Sequence, residues 1–147
     1  MLQLVDRDGK VIDWSDMGIV LSVPPNVTSS PVHIRVQCFL PGPGSVNLPE
    51  SMELVSPIYN VDISPSPDFT KEAELSIAHF AAIHSELDCL DMDFLHSTDK
   101  SPPYHFCPVP GGKFLSHGAL GTIATNAFCK LAIGKRKRKR NAMQPEG

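Results

Sequence analysis

The stretch Met17-Gly-Ile-Val-Leu-Ser-Val-Pro-Pro-Asn-Val27 decides the fold of this chain. It opens with a glycine turn and continues as an apolar strand, in which alternation places Ile19, Leu21 and Val23 on one face. The strand must end at Pro24 or lie at a sheet edge, because proline cannot donate a hydrogen bond to a neighbouring strand. A half-buried strand that ends in this way is typical of a β-sandwich.

Short alternating segments separated by turns continue along the rest of the chain. Residues 32–40 alternate apolar and polar side chains, and segments 88–96 and 128–133 are interpreted as a further strand and the closing strand. The sequence also contains 14 prolines and 10 glycines, which favour turns. We therefore predict an all-β fold, an antiparallel β-sandwich of about nine or ten short strands without a long helix.

Local turn signals predict two further features near the N-terminal half. The Asp8-Gly9 pair favours a hairpin that joins a strand over residues 2–5 to a strand over residues 10–12. The proline- and glycine-rich stretch 41–49 contains little to bury and is predicted to be a loop.

Length and composition fit a single folded domain. The chain has 147 residues, of which 41% are hydrophobic, and this length corresponds to about one domain. No apolar run approaches the roughly 20 residues that span a bilayer. The N-terminal residues lack the basic and apolar regions of a secretory signal. We predict a cytoplasmic location, with the nucleus as an alternative raised by the basic tail.

The cysteines do not form a metal-binding or disulfide pattern. Cys38, Cys89, Cys107 and Cys129 are widely separated, and each lies in or beside an apolar stretch. The absence of a Cys-x-x-Cys pair argues against a zinc ribbon. We predict buried free thiols, with one disulfide left open as an alternative.

The charge is divided between an acidic body and a basic tail. Residues 1–134 carry a net charge of −8, and residues 135–147 carry +5. This division predicts a folded domain over 1–134 and a disordered tail over 135–147. The tail is a solvated segment, a nuclear-import signal or a contact for an anionic surface such as lipid or nucleic acid, without base-specific recognition. Its six consecutive basic residues are Lys135, Arg136, Lys137, Arg138, Lys139 and Arg140.

Four stretches resemble, in order and spacing, the motifs of one family of interaction domains. They are Gly18-Ile-Val-Leu-Ser-Val-Pro-Pro-Asn-Val27, Leu54-Val-Ser-Pro-Ile58, Phe69-Thr-Lys-Glu-Ala-Glu-Leu-Ser-Ile-Ala-His79 and Ala127-Phe-Cys129. The chain thus resembles, over about residues 9–134, the ZU-five domain of zonula occludens proteins, Unc-five netrin receptors and ankyrins. Asn26, Glu72 and Ala78 replace a glycine and two prolines of that family, which makes the chain a divergent relative.

The resemblance implies a function class that composition alone does not give. Members of this family are non-enzymatic protein-binding modules of cytoplasmic scaffolds, adaptors, signalling proteins and the cytoskeleton. A protein partner and no cofactor are therefore expected. The contact surface is expected at an exposed sheet face or strand edge.

The same resemblance carries an alternative, a self-processing domain. Some relatives cleave their own chain between Phe and Ser of a His-Phe-Ser motif, which aligns here with Phe128 and Cys129. A cysteine thiol can attack the preceding carbonyl in the same way. Ala127 stands where the family has the assisting histidine, so that a spatial neighbour such as His79 or His117 would have to act as the base. The competing interpretation of Cys129 is an inert strand cysteine.

Other catalytic or metal-binding signatures are not found in the sequence. His105 and Cys107 place two possible ligands on one strand, but a set of four would need Cys89 or His96 brought close. The sequence has no phosphate-binding glycine loop, nucleophile elbow or His-Glu-x-x-His motif. We therefore predict no metal site and no enzymatic turnover.

Overall fold

The computed structural model describes residues 2–65 and 68–137. Within these ranges the chain forms fourteen strands and one short α-helix, α1 (Glu86–Leu90). The strands are β1 (Leu2–Val5), β2 (Lys10–Trp14), β3 (Ile19–Val23), β4 (Val32–Phe39), β5 (Val46–Asn47), β6 (Met52–Leu54), β7 (Ile58–Ser64), β8 (Asp68–Ala78), β9 (Met92–Ser97), β10 (Tyr104–His105), β11 (Cys107–Val109), β12 (Lys113–Phe114), β13 (Leu120–Ala127) and β14 (Lys130–Arg136).

Two antiparallel sheets form the sandwich, which confirms the predicted fold class. The first sheet has seven strands in the order β1-β4-β7-β14-β9-β11, with β6 also paired to β14. The second has five strands in the order β12-β13-β8-β3-β2. There are more strands than predicted, in part because a two-residue strand such as β5 is too short to show alternation in a sequence.

The decisive stretch adopts the predicted arrangement. Ile19, Leu21 and Val23 on β3 are 1–3% exposed and face the core between the sheets. The strand ends before Pro24 as expected, and it lies between β2 and β8 rather than at an edge. Its alternation therefore reports a strand with one buried face.

The predicted N-terminal hairpin is wrong. The turn forms, with Gly9 N donating to Asp6 O at 3.2 Å, but β1 pairs with β4 in the first sheet and β2 pairs with β3 in the second. Val5 and Ile12 are both buried in the common core. The turn therefore leads the chain from one sheet to the other, which allows both side chains to be buried.

The predicted strand over 88–96 is correct only from Met92 onwards. Residues 86–90 form α1, whose first turn is capped by the Ser85 hydroxyl accepting from Asp88 N at 3.4 Å. Met92 and Phe94 are buried as the alternation predicts, whereas Leu90 is 71% exposed. Leu90 lies on α1 and not on a strand, so its place in the alternating pattern is a coincidence.

The chain passes from β13 to β14 at Phe128 and Cys129, which corrects two predictions. These residues form a turn and are not part of a closing strand. β14 runs to Arg136, so Lys135 and Arg136 belong to the sheet and not to a tail that begins at 135. Residues 138–147, the rest of the predicted tail, lie outside the described residues.

A second apolar cluster lies on the other face of the first sheet. Its buried members are Met52, Ile58, Leu95, Phe106 and Ala132. Strands β5 and β10 pair in parallel, and Val46, Leu48 and Tyr104 from these segments pack on the cluster. The prediction that residues 41–49 have little to bury is therefore wrong, because this loop covers part of the sheet.

Buried hydroxyl groups tie separate parts of the sandwich together. Tyr59, on the first sheet, donates a hydrogen bond to Met17 O beside the start of β3, and burial raises the pKa of this phenol to about 12. Ser56 is 2% exposed, and its hydroxyl accepts from Ile133 N at 2.8 Å. Each bond satisfies a group that would be costly to leave unpaired.

All four cysteines are free thiols, but the prediction that they are buried is wrong. Cys38 and Cys107 are exposed, and Cys89 and Cys129 are partly buried.

No helix within the described ranges has the length and apolar character needed to cross a bilayer.

Candidate functional site

The turn between β13 and β14 holds the bond that the sequence singled out. Phe128 is partly buried and packs edge-on against Phe69, with ring centroids 5.5 Å apart. Cys129 O accepts a hydrogen bond from Val61 N at 3.0 Å. Both residues that flank the peptide bond between Phe128 and Cys129 are thus fixed by contacts with the sandwich.

His96 is the histidine that lies beside the candidate nucleophile. The Cys129 Sγ atom is 3.9 Å from His96 Nδ1. The pairing of β9 with β14 brings them together, since His96 lies opposite Leu131 in the register. A thiol and an imidazole at this separation can exchange a proton directly or after a small movement.

The environment of Cys129 favours the neutral thiol. Burial raises the pKa of this thiol above its ordinary value of 9.0, while a backbone hydrogen bond at Ser97 and the charge of Lys130 oppose the shift. The sulfur also lies 3.5 Å from Lys130 O. An attack by Cys129 would therefore need a base to remove its proton.

The histidines suggested by the sequence are not in position. His117 precedes β13 and His79 N bonds to Ala119 O, whereas Phe128 follows the other end of β13. The eight residues of that strand span roughly 25 Å. His96 was missed because it lies far from Cys129 in the chain and only strand pairing brings the two together.

His79 predicts a measurable dependence of stability on pH. It is 7% exposed, and burial lowers its pKa below 6.5. The unfolded chain therefore takes up a proton near pH 6.5 that the folded chain takes up only at lower pH. Stability from this residue is present above that pH and declines as the pH falls.

Urea unfolding between about pH 5 and pH 7 checks this expectation. The His79→Gln variant should lose less stability on acidification than the natural chain, because glutamine does not titrate. Replacing His33, which is exposed on β4, with glutamine is the matched control and should leave the slope unchanged. If the free energy of unfolding changes equally with pH in all three proteins, His79 is not the cause of the dependence.

The fold brings some of the possible metal ligands together in pairs but does not gather the predicted set of four. His105 Nδ1 lies 3.0 Å from Asp99 Oδ2, and Cys107 lies opposite His96 in the pairing of β11 with β9. Cys89 lies on α1 and packs against the core. Across residues 2–65 and 68–137, no three His, Cys, Asp or Glu side chains come together as metal ligands.

Three basic residues of the predicted tail are described by the structure, and each takes part in local contacts. Arg136 forms an ion pair with Asp93 at 3.1 Å, and Lys135 Nζ donates to Ala82 O at 3.5 Å. Lys137 N donates to Ser51 O at 2.6 Å. The remaining predicted contact residues Arg138, Lys139 and Arg140 lie outside the described residues.

Large apolar side chains on the surface form a second candidate region. Leu87 and Leu90 on α1 are 60% and 71% exposed, and Phe80 and Leu115 in neighbouring loops are each 73% exposed. The segments that carry them are joined near the end of β14. Arg136 N bonds to Asp91 O and Phe80 N to Val55 O, and Ser116 Oγ, next to Leu115, donates to Glu86 Oε1 on α1. Exposed apolar groups gathered in one place are typical of binding surfaces.

Comparison with known proteins agrees with the motifs and the fold. The family model of the ZU5 domain matches residues 1–91, and this range includes the first three of the four motif stretches. The bond between Phe128 and Cys129 lies outside the match. No curated protein matches the chain. The match covers more than half of the chain, and the chain belongs to the ZU5 domain family.

Proposed function

We propose that this chain is a non-enzymatic protein-binding module of a cytoplasmic scaffold, adaptor or signalling protein. ZU5 domains are protein-interaction modules. The observation that carries the proposal is the group of large apolar side chains left exposed on a sandwich whose core is otherwise well buried. Such side chains gain most when a partner removes them from water.

Affinity purification followed by a binding measurement tests the proposal. The full chain is compared with a variant in which Arg138, Lys139 and Arg140 are all replaced by glutamine, which removes non-specific attraction by the tail. We expect both proteins to capture the same partner, and the purified partner to bind both with similar affinity. If the variant without the three charges no longer captures the partner, the result instead supports nuclear import or contact with an anionic surface as the function.

Self-processing is the second candidate function, and the contact between Cys129 and His96 supports it. In this reaction His96 accepts the thiol proton and the sulfur attacks the carbonyl carbon of Phe128. The carbon–nitrogen bond then breaks as protonated His96 returns its proton to the nitrogen, giving a thioester and a free amino group on Cys129. Water hydrolyses the thioester to a Phe128 carboxylate and restores the thiol.

The self-processing candidate predicts cleavage that only denaturing conditions reveal. β14 lies between β7 and β9 in the first sheet, so fragments 1–128 and 129–147 would stay paired through these strands. Denaturing intact-mass measurement should show both fragments, and hydroxylamine, which attacks thioesters, should raise their yield. A single intact mass with and without hydroxylamine eliminates this candidate.

Two variants assign the roles within that reaction. Cys129→Ala should abolish cleavage because the nucleophile is removed. His96→Gln should slow it by about 100-fold or more, the usual contribution of a general base. His33→Gln, which replaces an exposed histidine on β4, should cleave at the natural rate; equal slowing in both histidine variants would refute the role of His96.

A further inference from the structure

Several serines of the chain directly precede a proline, which is the short motif that proline-directed protein kinases recognise. They are Ser30, Ser56, Ser64, Ser66 and Ser101. Ser56 is 2% exposed and its hydroxyl accepts from Ile133 N at 2.8 Å, so a kinase cannot reach it. Ser66 lies outside the described residues. The structure therefore leaves Ser30, Ser64 and Ser101, which are all exposed.

Ser64 is the last residue of β7 and lies on a part of that strand that is paired on one side only. β4 pairs with β7 along residues 58–64, whereas β14 pairs with it only at Tyr59 and Asn60. Among the described residues, no strand pairs with the other flank of residues 62–64. Strand ends open most readily, and kinases bind their substrates as extended segments. Ser64 and the exposed Pro65 are therefore accessible to such an enzyme.

Two basic residues on β4 lie beside Ser64. His33 is directly opposite Ser64 in the pairing of β4 with β7, and Arg35 is opposite Asp62 two residues further along. Opposite residues of an antiparallel pair have Cβ atoms about 4.5–5.5 Å apart on the same face, and diagonal neighbours are still within reach of a long side chain. These four exposed residues, together with Leu2, line a groove of about 420 Å³.

The basic residues of this groove are available to bind an anion. Within the part of the chain that the structure describes, neither His33 nor Arg35 forms an ion pair. The Asp62 carboxylate accepts from Asn60 Nδ2 at 3.1 Å. A phosphate on Ser64 would carry a charge of about −1.5 to −2 at neutral pH and three acceptor oxygens. Because arginine binds phosphate with two parallel hydrogen bonds, Arg35 is well suited to receive it.

We propose that Ser64 is a phosphorylation site for a proline-directed serine/threonine kinase and that Arg35 and His33 bind the resulting phosphate. In the kinase, the Ser64 hydroxyl oxygen attacks the γ-phosphorus of ATP, its proton passes to the catalytic base of the kinase, and the bond to the leaving ADP breaks. The phosphate then links the end of β7 to β4. Of the exposed Ser-Pro serines, Ser64 is the one that the structure places on a strand opposite a basic residue.

Phosphorylation of the full chain in vitro tests the modification. The protein is incubated with Mg²⁺, ATP and either a cyclin-dependent kinase or a mitogen-activated protein kinase, which are both proline-directed, and mass spectrometry locates the phosphate. We expect phosphate on Ser64 and none on the buried Ser56. Ser64→Ala should lose that phosphate, whereas Ser101→Ala, the matched control in an exposed loop, should retain it.

Titration of the phosphate tests the role of the two basic residues. Phosphoserine is installed at position 64 during translation, and phosphorus NMR measures its second pKa, which is ordinarily about 6. Nearby positive charge favours the doubly charged phosphate and lowers this pKa. Arg35→Gln should therefore raise the phosphate pKa by about 0.5 or more, and His33→Gln should raise it by a smaller amount. Arg7→Gln, which replaces an exposed arginine between β1 and β2, should leave it unchanged.

Two results would overturn the proposal. If both kinases leave Ser64 unmodified in the folded chain, whether or not they modify Ser30, Ser66 or Ser101, then Ser64 is not the site. If the phosphate at position 64 titrates at the same pH in the natural chain and in the Arg35→Gln and His33→Gln variants, these residues do not bind it. Either result leaves the protein-binding function proposed above unaffected, because that function does not depend on the modification.

Discussion

Replacing Phe94 with alanine should lower the free energy of unfolding by about 3–5 kcal/mol, the usual cost of removing a buried phenyl ring. Phe94 is 0% exposed and stacks on Phe114 with ring centroids 5.4 Å apart. It lies on β9 in the main core. A Cβ atom at Gly112 would come within 2.6 Å of its ring, so the surrounding chain is fitted closely to this side chain. The variant therefore leaves a cavity that the sheet can fill only by moving.

Urea unfolding followed by circular dichroism measures this loss. Phe80→Ala is the matched control, because it removes the same ring from a position that is 73% exposed. We expect the control to stay within about 0.5 kcal/mol of the natural chain. Similar losses in the two variants would show that Phe94 does not lie in the core as described.

Replacing Gly9 with alanine should be strongly destabilising although Gly9 lies in a turn. Gly9 has φ +78°, a conformation that costs an L-residue about 1–2 kcal/mol. An added Cβ would also lie 2.7 Å from the carbonyl carbon of Pro24 and 2.9 Å from its oxygen. These are backbone atoms at the end of β3 and cannot move like a flexible side chain. The overlap should add about 2 kcal/mol or more to the conformational cost.

Gly44→Ala separates the two contributions. Gly44 has φ +73° and nothing within 4 Å of an added Cβ, so this control retains the conformational cost without the overlap. We expect its midpoint of urea unfolding to lie well above that of Gly9→Ala. If both variants unfold at the same urea concentration, the close approach of Gly9 to Pro24 does not contribute to the loss of stability.

The sequence predicted the elements whose local pattern matches their burial. β3 and the first part of β4 show the expected alternation, with Val32, Ile34 and Val36 buried and His33 and Arg35 exposed. Period-two patterns identify such strands because each has one face in the core and one in water. The fold class followed from many of these segments together.

The errors arose where local signals did not determine the tertiary partner. Asp8-Gly9 correctly indicated a turn, but a turn does not specify whether its two strands share a sheet. The helix at 86–90 did carry a signal, since Ser85 and Asp88 form a serine-x-x-acid capping pattern. The apolar residues Leu90, Met92 and Phe94 continued an apparent strand pattern and outweighed it.

The candidate site was predictable only in part. The family motif pointed to Phe128 and Cys129, but the base beside them depends on the pairing of β9 with β14. Strand order in a sheet is set by packing between distant segments, and one sequence does not contain that information. The exposed apolar side chains around α1 were also missed, because leucine in a sequence reads as core until its exposure is known.

The internal position of β14 has a mechanical consequence. Its residues pair with β9 over 130–135 and with β7 and β6 on the other side. Tension on whatever follows Arg136 is therefore carried by hydrogen bonds on both flanks of the strand, which must shear together before the strand slides out. A partner that pulls on this end of the protein would meet its most resistant element, while the N-terminal strand β1, held on one side only by β4, could peel away one residue at a time.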